Sequence, residues 1–95
     1  IMLIELIEIK FSYENKYKLS TVFINPLHIV SMSEDNKTRR DLIEGRINLD
    51  ISESATFTNI ILNESRSFNE MVVVGPPQEV YQKVYTSKKK MLLRD

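Results

Sequence analysis

The residue best suited to acid-base chemistry in this sequence is its single histidine, His28, in the stretch FINPLHIVSM. Histidine is the commonest general acid or base at neutral pH, but a second group must orient the imidazole. The sequence suggests no such group near His28, so we interpret it as a surface or edge-strand residue. A small ribonuclease-like enzyme centred on His28 is the third hypothesis about function, after an interaction protein and a nucleic-acid binder.

Other catalytic and metal chemistry has less support in the sequence. Carboxylates cluster as Glu34 with Asp35 and as Asp41 with Glu44, but they share a polar segment with several cations, a pattern typical of a solvated surface. A metal site needs converging histidine, cysteine or carboxylate ligands, and the chain has no cysteine. Its two glycines lie too far apart for a phosphate-binding loop. We therefore expect no metal site, no cofactor and no catalytic residue.

Cations are the remaining candidates for a binding site, and they form two groups. Arginine binds phosphate or carboxylate in a fork geometry, whereas lysines at a helix end bind phosphate as point charges. Cations at a helix C-terminus also interact favourably with the helix dipole, without any ligand. We expect both groups to contact a partner, with a small anionic ligand between them as a further alternative. The first group is Lys37, Arg39, Arg40 and Arg46, and the second is Lys88, Lys89, Lys90 and Arg94.

The composition predicts one ordinary globular domain over residues 1–95. Thirteen basic and thirteen acidic side chains balance, so no net field draws the whole chain to a polyanion. The chain from Pro76 onward carries five basic and two acidic residues, a net charge of +3, which leaves −3 on the rest. The lack of cysteine fits a reducing compartment, and the apolar runs are too short to cross a bilayer. We expect a soluble, cytoplasmic protein that does not bind membranes.

Short apolar runs rich in β-branched residues predict five or six antiparallel strands. In the first run the alternation slips near Leu6 and Ile7, which predicts a bulge or an end that leaves the sheet. In RINLDISES, Ile47, Leu49 and Ile51 alternate with polar residues, as in a sheet with one wet face. The runs are LIELIEIKFSY, YKLSTVFI, LHIVSM, RINLDISES, ATFTNIILN and MVVV.

The segments between these runs predict the turns and the helix. ENK at 14–16 predicts a hairpin turn, SEDNKTRRD a solvated loop, and ESRSFNE a turn or wide loop. Pro26 must break or bend the sheet, since proline cannot donate to a ladder. After Gly75, Pro76 and Pro77, the spacing of valines and tyrosines in QEVYQKVYTSKKKMLLRD predicts a helix with one broad apolar stripe. The predicted fold class is α+β, an antiparallel β-sheet of about five or six strands with one C-terminal helix.

Three stretches, FINPLHIVSMSED, ATFTNIILNES and VVVGPPQEVYQKV, give the chain a family resemblance. Their order resembles that of the small FlbD-type β-rich domain, found beside flagellar genes and in short proteins of phages and prophages. The stretch 36–54 and the longer basic C-terminus depart from that pattern. The resemblance implies a small accessory or regulatory protein and supplies no catalytic residues. Its matching positions are Asn25, Pro26, Ile29, Thr58, Ile60, Leu62, Val74, Glu79 and Val80.

Isoleucine-rich strands with a single covering helix predict a sheet with an uncovered edge or face, which invites pairing with another chain. We therefore expect a non-enzymatic interaction or regulatory protein, phage- or prophage-encoded, that binds a bacterial host protein. Homo-oligomerisation through a sheet edge is part of this expectation. The alternative is a nucleic-acid or nucleotide binder that uses Lys88, Lys89, Lys90 and Arg94.

Overall fold

The computed structural model of the chain describes residues 2–12, 16–65 and 67–93. Over these ranges one five-stranded antiparallel sheet has the order β2-β1-β5-β4-β3, and two helices accompany it. The predicted α+β class with a C-terminal helix is confirmed. The elements are β1 (Ile4–Ser12), β2 (Lys16–Ile24), β3 (Ile29–Glu34), α1 (Asn36–Ile43), β4 (Phe57–Glu64), β5 (Ser67–Val74) and α2 (Pro77–Leu93), with a turn of 3-10 helix at Pro26–His28.

The β1–β2 hairpin is continuous, and its pairing explains the phase slip in the first apolar run. Nine residue pairs run without a bulge from Ser12 with Lys16 to Ile4 with Ile24. The side chain of Leu6 is buried on one face of the sheet, whereas that of Ile9 is buried on the other. The predicted bulge is therefore wrong. The apolar alternation changes phase because Leu6 is buried on the face that α2 covers, whereas Ile9 is buried on the opposite face. The turn predicted at 14–16 falls mostly outside the described residues.

One face of the sheet is covered by α2. Val80 and Val84 are buried against Ile4, Leu6 and other apolar side chains of the sheet. The stripe is narrower than the sequence predicts, because Tyr81 and Tyr85 are each about half exposed and stack on one another instead, with ring centroids 6.3 Å apart. The sheet residues in this core are Ile4, Leu6, Ile24, Ile60, Leu62 and Val73.

The opposite face is covered only in part, by α1 and by residues 46–56. The strand predicted for RINLDISES is wrong, since none of these residues belongs to the sheet. Ile47 is buried, and Leu49 and Ile51 pack against a second cluster that contains Ile9 and Phe57. An irregular segment lying across a sheet can produce the same apolar alternation as an edge strand, because in both cases alternate side chains point toward the core.

The helix α1 occupies a segment for which the sequence predicts a loop. Asp35 caps it, since its Oδ1 accepts a hydrogen bond of 3.1 Å from the backbone N–H of Thr38, and its Oδ2 accepts one of 2.6 Å from Thr38 Oγ1. Leu42 is the only buried residue of the helix. One anchoring side chain leaves no apolar period in the sequence, so the helix depends on its cap and its docking.

The strand β5 is longer than the predicted MVVV, and the loop before it is short. Glu64 pairs with Ser67, so only residues 65 and 66 connect β4 to β5. Ser65 has a φ of 45°, the left-handed conformation that such tight turns use. The first four residues of β5 are exposed, which is why they resemble a loop in sequence.

No helix in the described part of the chain is long and apolar enough to cross a bilayer.

Candidate interaction surface

The β1–β2 hairpin presents different chemistry on its two faces. Ile4 and Leu6 point toward α2, so the odd-numbered residues of β1 point away from it, together with their partners on β2. The pairs on this outer side are Glu5 with Phe23, Ile7 with Thr21, Ile9 with Leu19, and Phe11 with Tyr17. Glu5 is the only charged residue among these eight.

Four of these residues form what we call the hairpin face, namely Ile7, Phe11, Leu19 and Phe23. Their exposed fractions are 45%, 61%, 36% and 60%. Ile9, in the middle of the same row, is buried with Leu42 and Phe57. The second cluster therefore covers the centre of the hairpin and contacts Tyr17, and it leaves Phe11 and Phe23 largely exposed at the two ends.

One end of the hairpin face is supported by an adjacent aromatic ring, and the face continues onto a neighbouring strand. Phe11 packs edge to face on Tyr17, with ring centroids 5.2 Å apart and an interplanar angle of 67°. Phe68 of β5 lies on the same side of the sheet, because Val72 pairs with Ile9, and it is exposed. Taking a phenylalanine from full exposure to full burial contributes roughly 1.5–3 kcal/mol, and more than half of the surface of each exposed phenylalanine is still available here for a partner to bury.

The sequence analysis missed the hairpin face as a site. The alternation of Ile7, Ile9 and Phe11 with charged residues correctly predicts that they share one side of a strand. The same signal implies that the shared side is buried, which holds for Ile9 alone. Ile9 differs from Ile7 and Phe11 in burial only because α1 and residues 46–56 extend far enough across the sheet to cover it.

A third group of cations lies on the other side of this hairpin, beyond the part that α2 covers. Lys10 and Lys18 are directly opposite one another, and Lys16 is opposite Ser12. All three lysines are exposed. Like charges opposite each other in a ladder are destabilising, so this pair is a local cost to the hairpin. No sequence signal marks it, since it arises from the strand register.

The predicted cations around α1 are largely engaged with carboxylates. Lys37 Nζ lies 3.3 Å from Asp41 Oδ2, and Arg46 Nε lies 3.1 Å from Asp41 Oδ1. Arg46 also pairs with Glu44. The hydrogen bond from Arg46, with a smaller contribution from Lys37, lowers the pKa of Asp41 below its ordinary value of 3.8, despite an opposing effect of desolvation. These contacts compete with any external anion.

The other two arginines of the first group differ in exposure. Arg40 is exposed, whereas Arg39 is partly buried and its Nε has no hydrogen-bond partner within the described structure. Lys37, Arg39 and Arg40 lie on α1 rather than in the predicted loop, and Arg46 follows the helix, in the segment predicted as a strand. Arg40 is thus the member best placed to meet a partner.

The second predicted group lies at the end of α2. Lys88, Lys89 and Lys90 are exposed there, and Arg94 is outside the described residues. Leu42 anchors α1 on one face of the sheet, whereas Val84 anchors α2 on the other. The described members of the two groups therefore belong to helices on opposite faces of the sheet and are not brought together.

A shallow groove of about 470 Å³ separates the start of β1 from α2. Across it, Lys83 Nζ donates a hydrogen bond of 3.0 Å to the backbone oxygen of Glu5. Ser87 is buried in its wall, and its Oγ has no partner among the described residues. The titratable residues of its lining are Glu5, Lys83 and Lys90. Its lining is Met2, Leu3, Ile4, Glu5, Gln82, Lys83, Thr86, Ser87 and Lys90.

His28 ends the 3-10 turn that Pro26 begins, as expected from the Asn25-Pro26 break. Asn25 Oδ1 accepts a hydrogen bond of 3.0 Å from the N–H of Leu27, and Asn25 O accepts one of 3.0 Å from the N–H of His28. The His28 side chain is exposed. Within the described ranges, no three histidine, aspartate or glutamate residues are grouped to hold a metal ion.

No protein-family model, curated protein or solved structure matches the chain. Its surfaces are therefore the basis for a functional proposal. The hairpin face differs from an ordinary solvated surface because its four exposed side chains on one side of a strand pair are all apolar.

Proposed function

We propose that this chain is a non-enzymatic interaction protein whose hairpin face binds a protein partner. One observation carries the proposal: Phe11 and Phe23 are each about 60% exposed at opposite ends of a regular hairpin whose central residue, Ile9, is buried. Phenylalanines held in an ordered strand pair lose little conformational entropy on binding, which suits them as anchors.

The cations form the outer part of the proposed contact. Charged groups at the rim of an interface steer encounter and select partners more than they add affinity. We assign this role to the exposed cations of the first group, which lie on or after α1, on the same face of the sheet as the hairpin face, and it favours a partner with acidic residues around an apolar patch. The FlbD-type resemblance supports a regulatory role, as a phage- or prophage-encoded protein that binds a bacterial host protein in the cytoplasm.

A pull-down from bacterial lysate with three forms of the chain tests this proposal. The first form is the native sequence, the second carries Phe11→Thr and Phe23→Thr, and the third carries Leu27→Thr and Val30→Thr. Leu27 and Val30 match the phenylalanines as exposed apolar residues, but they lie at or before the β3 edge of the sheet. They are the control for a general loss of apolar surface.

The proposal expects a protein, identified by mass spectrometry, that the native chain and the control retain and the phenylalanine variant loses. Because threonine suits an exposed strand position, the variant should keep the native circular dichroism spectrum. Equal retention of that protein by all three forms would contradict a role for the hairpin face.

A nucleic-acid binder is the second candidate, and one observation on α2 favours it. The rings of Tyr81 and Tyr85 stack with an interplanar angle of 24°, and each is about half exposed. Lys88 and Lys89 follow Tyr85 at three and four residues, on the same side of the helix. Exposed aromatic rings beside lysines are typical of single-strand binding surfaces.

Nuclease treatment of the same lysate separates the two candidates. For a nucleic-acid binder, recovery should vanish with nuclease, and replacement of Lys88, Lys89, Lys90 and Arg94 by glutamine should abolish binding and its salt dependence. A protein retained after nuclease by that quadruple variant would contradict the second candidate and support the first.

A further inference from the structure

The outer edge of β2 is long, regular and without a partner strand in the described structure. The strand has nine residues, all paired with β1 on its inner side, and it ends the sheet. The edge at β3 differs, because that strand has six residues, follows the turn that Pro26 begins, and carries an irregularity between Ile29 and Ser31. Bulges, short strands and lysines are protections against edge pairing; β2 is long and without a bulge, and its two lysines lie only in its first half.

We infer that β2 pairs with β2 of a second copy of this chain, antiparallel and around a two-fold axis at Ser20. Ser20 is the midpoint of the strand, so this axis aligns all nine residues of each copy. The two five-stranded sheets then form one continuous sheet of ten strands. The two ends of this sheet are then the β3 edges. Because the β3 edge is irregular, no further copy pairs there, and the assembly stops at a dimer instead of continuing into a fibre.

The charge distribution along β2 selects this arrangement. Its two lysines, Lys16 and Lys18, lie in the first half of the strand, and its second half is uncharged. Antiparallel pairing around Ser20 places Lys16 opposite Ile24 of the other copy, and Lys18 opposite Val22. Parallel pairing would instead bring each lysine alongside the same lysine of the other copy, which is unfavourable.

The side chains opposite one another are also complementary in shape. On the outer side, Tyr17 of one copy lies opposite Phe23 of the other, and aromatic cross-strand pairs stabilise a ladder. On the α2 side, the aliphatic stems of the lysines cover apolar neighbours while their ammonium groups stay in water.

Dimerisation at this edge would unite the two hairpin faces. Leu19 and Phe23 of each copy belong both to that face and to the pairing strand. The joined surface offers two equivalent sets of anchors to a partner. This inference goes beyond the proposed function, and it holds whether or not a further protein binds.

Single-cysteine cross-linking tests the inference, since the natural chain contains no cysteine. Directly opposite residues of an antiparallel pair have Cβ atoms about 4.5–5.5 Å apart, close enough for a disulfide after small adjustment. Ser20→Cys places one thiol from each copy at the axis. Ser33→Cys is the matched control, because it makes the same change on the edge strand β3.

Oxidation of the purified full chain should link the Ser20→Cys variant faster than the control, on the order of tenfold or more. In a dimer the effective concentration of the second thiol exceeds its bulk concentration. The native chain should sediment as a dimer whose population rises with protein concentration. Equal linking rates for the two variants, or sedimentation of the native chain as a monomer throughout, would overturn the inference. A chain that still dimerises but captures no protein from the lysate would contradict the proposed function and leave the dimer inference supported.

Discussion

Thr58 Oγ1 donates a hydrogen bond of 2.7 Å to the backbone oxygen of Gly75, joining β4 to the residue that follows β5. The N–H of Gly75 in turn donates to Thr56 O at 2.8 Å, and its φ of 116° is rarely accessible to other residues. These contacts hold the turn from which α2 starts across one face of the sheet. The hairpin face lies on the opposite side, which α1 and residues 46–56 cover only in part.

Replacing Thr58 by valine tests the importance of this hydrogen bond. Thr58 is fully buried, so Thr58→Val keeps the shape and leaves Gly75 O without that partner. We expect the free energy of unfolding to fall by about 1–3 kcal/mol. Urea denaturation measures the change, and Thr21→Val on the exposed side of β2 is the control. An effect no larger than that of the control would contradict this role.

Phenylalanines on the outer side of the sheet should separate into structural and binding residues. Phe57 is completely buried, whereas Phe23 is 60% exposed. We expect Phe57→Ala to lower the free energy of unfolding by about 3–5 kcal/mol because it leaves a cavity. Phe23→Ala should cost much less and should instead weaken partner capture. Comparable losses of stability in the two variants would show that Phe23 is a core residue.

Acid sensitivity should depend on the ion pairs of Asp41. Its pKa is lowered in the folded chain, so the ionised carboxylate stabilises the fold above its unfolded value of 3.8. This contribution is lost as the pH falls below 3.8 through the folded pKa. Asp41→Asn should therefore lower stability at neutral pH and flatten the decline in acid. Unfolding free energies measured across this range test it.

Arg46→Gln is the companion to that experiment. The hydrogen bond from Arg46 is the largest cause of the lowered Asp41 pKa. Its removal should flatten the acid decline in the same direction as Asp41→Asn, by a smaller amount since Lys37 stays in place. An unaltered acid limb in the Arg46 variant would assign the lowered pKa to a different neighbour.

The cap of α1 should affect the cover over the second core. Asp35→Ala removes both hydrogen bonds to Thr38, and we expect it to cost about 1 kcal/mol. Amide exchange should then accelerate in α1 and in residues 46–56, which depend on the docking of Leu42. Asp35→Ser retains a capping oxygen and is the matched control. Faster exchange confined to α2 would contradict this coupling.

Several elements could be predicted from the sequence because their signals are local. The short apolar run YKLSTVFI and the proline stop before QEVYQKV correctly predict β2 and α2. RINLDISES fails because alternation reports which side chains point inward, and it does not report whether the backbone pairs with a neighbour. The segment of α1 fails because a cap and one apolar anchor leave almost no periodic signal.

Within the candidate site, strand β1 alone shows both what could be predicted from the sequence and what could not. The sequence by itself determined that Ile7, Ile9 and Phe11 share one side of β1, because side chains alternate along any strand. Only the tertiary structure decided that Ile9 is buried while Phe11 is 61% exposed. Burial depends on how far residues 46–56 reach across the sheet, and the opposition of Lys10 to Lys18 depends on strand register. The burial of Ile9 and the opposition of the two lysines both depend on contacts between segments that are far apart in the sequence. A local sequence pattern carries no information about such contacts.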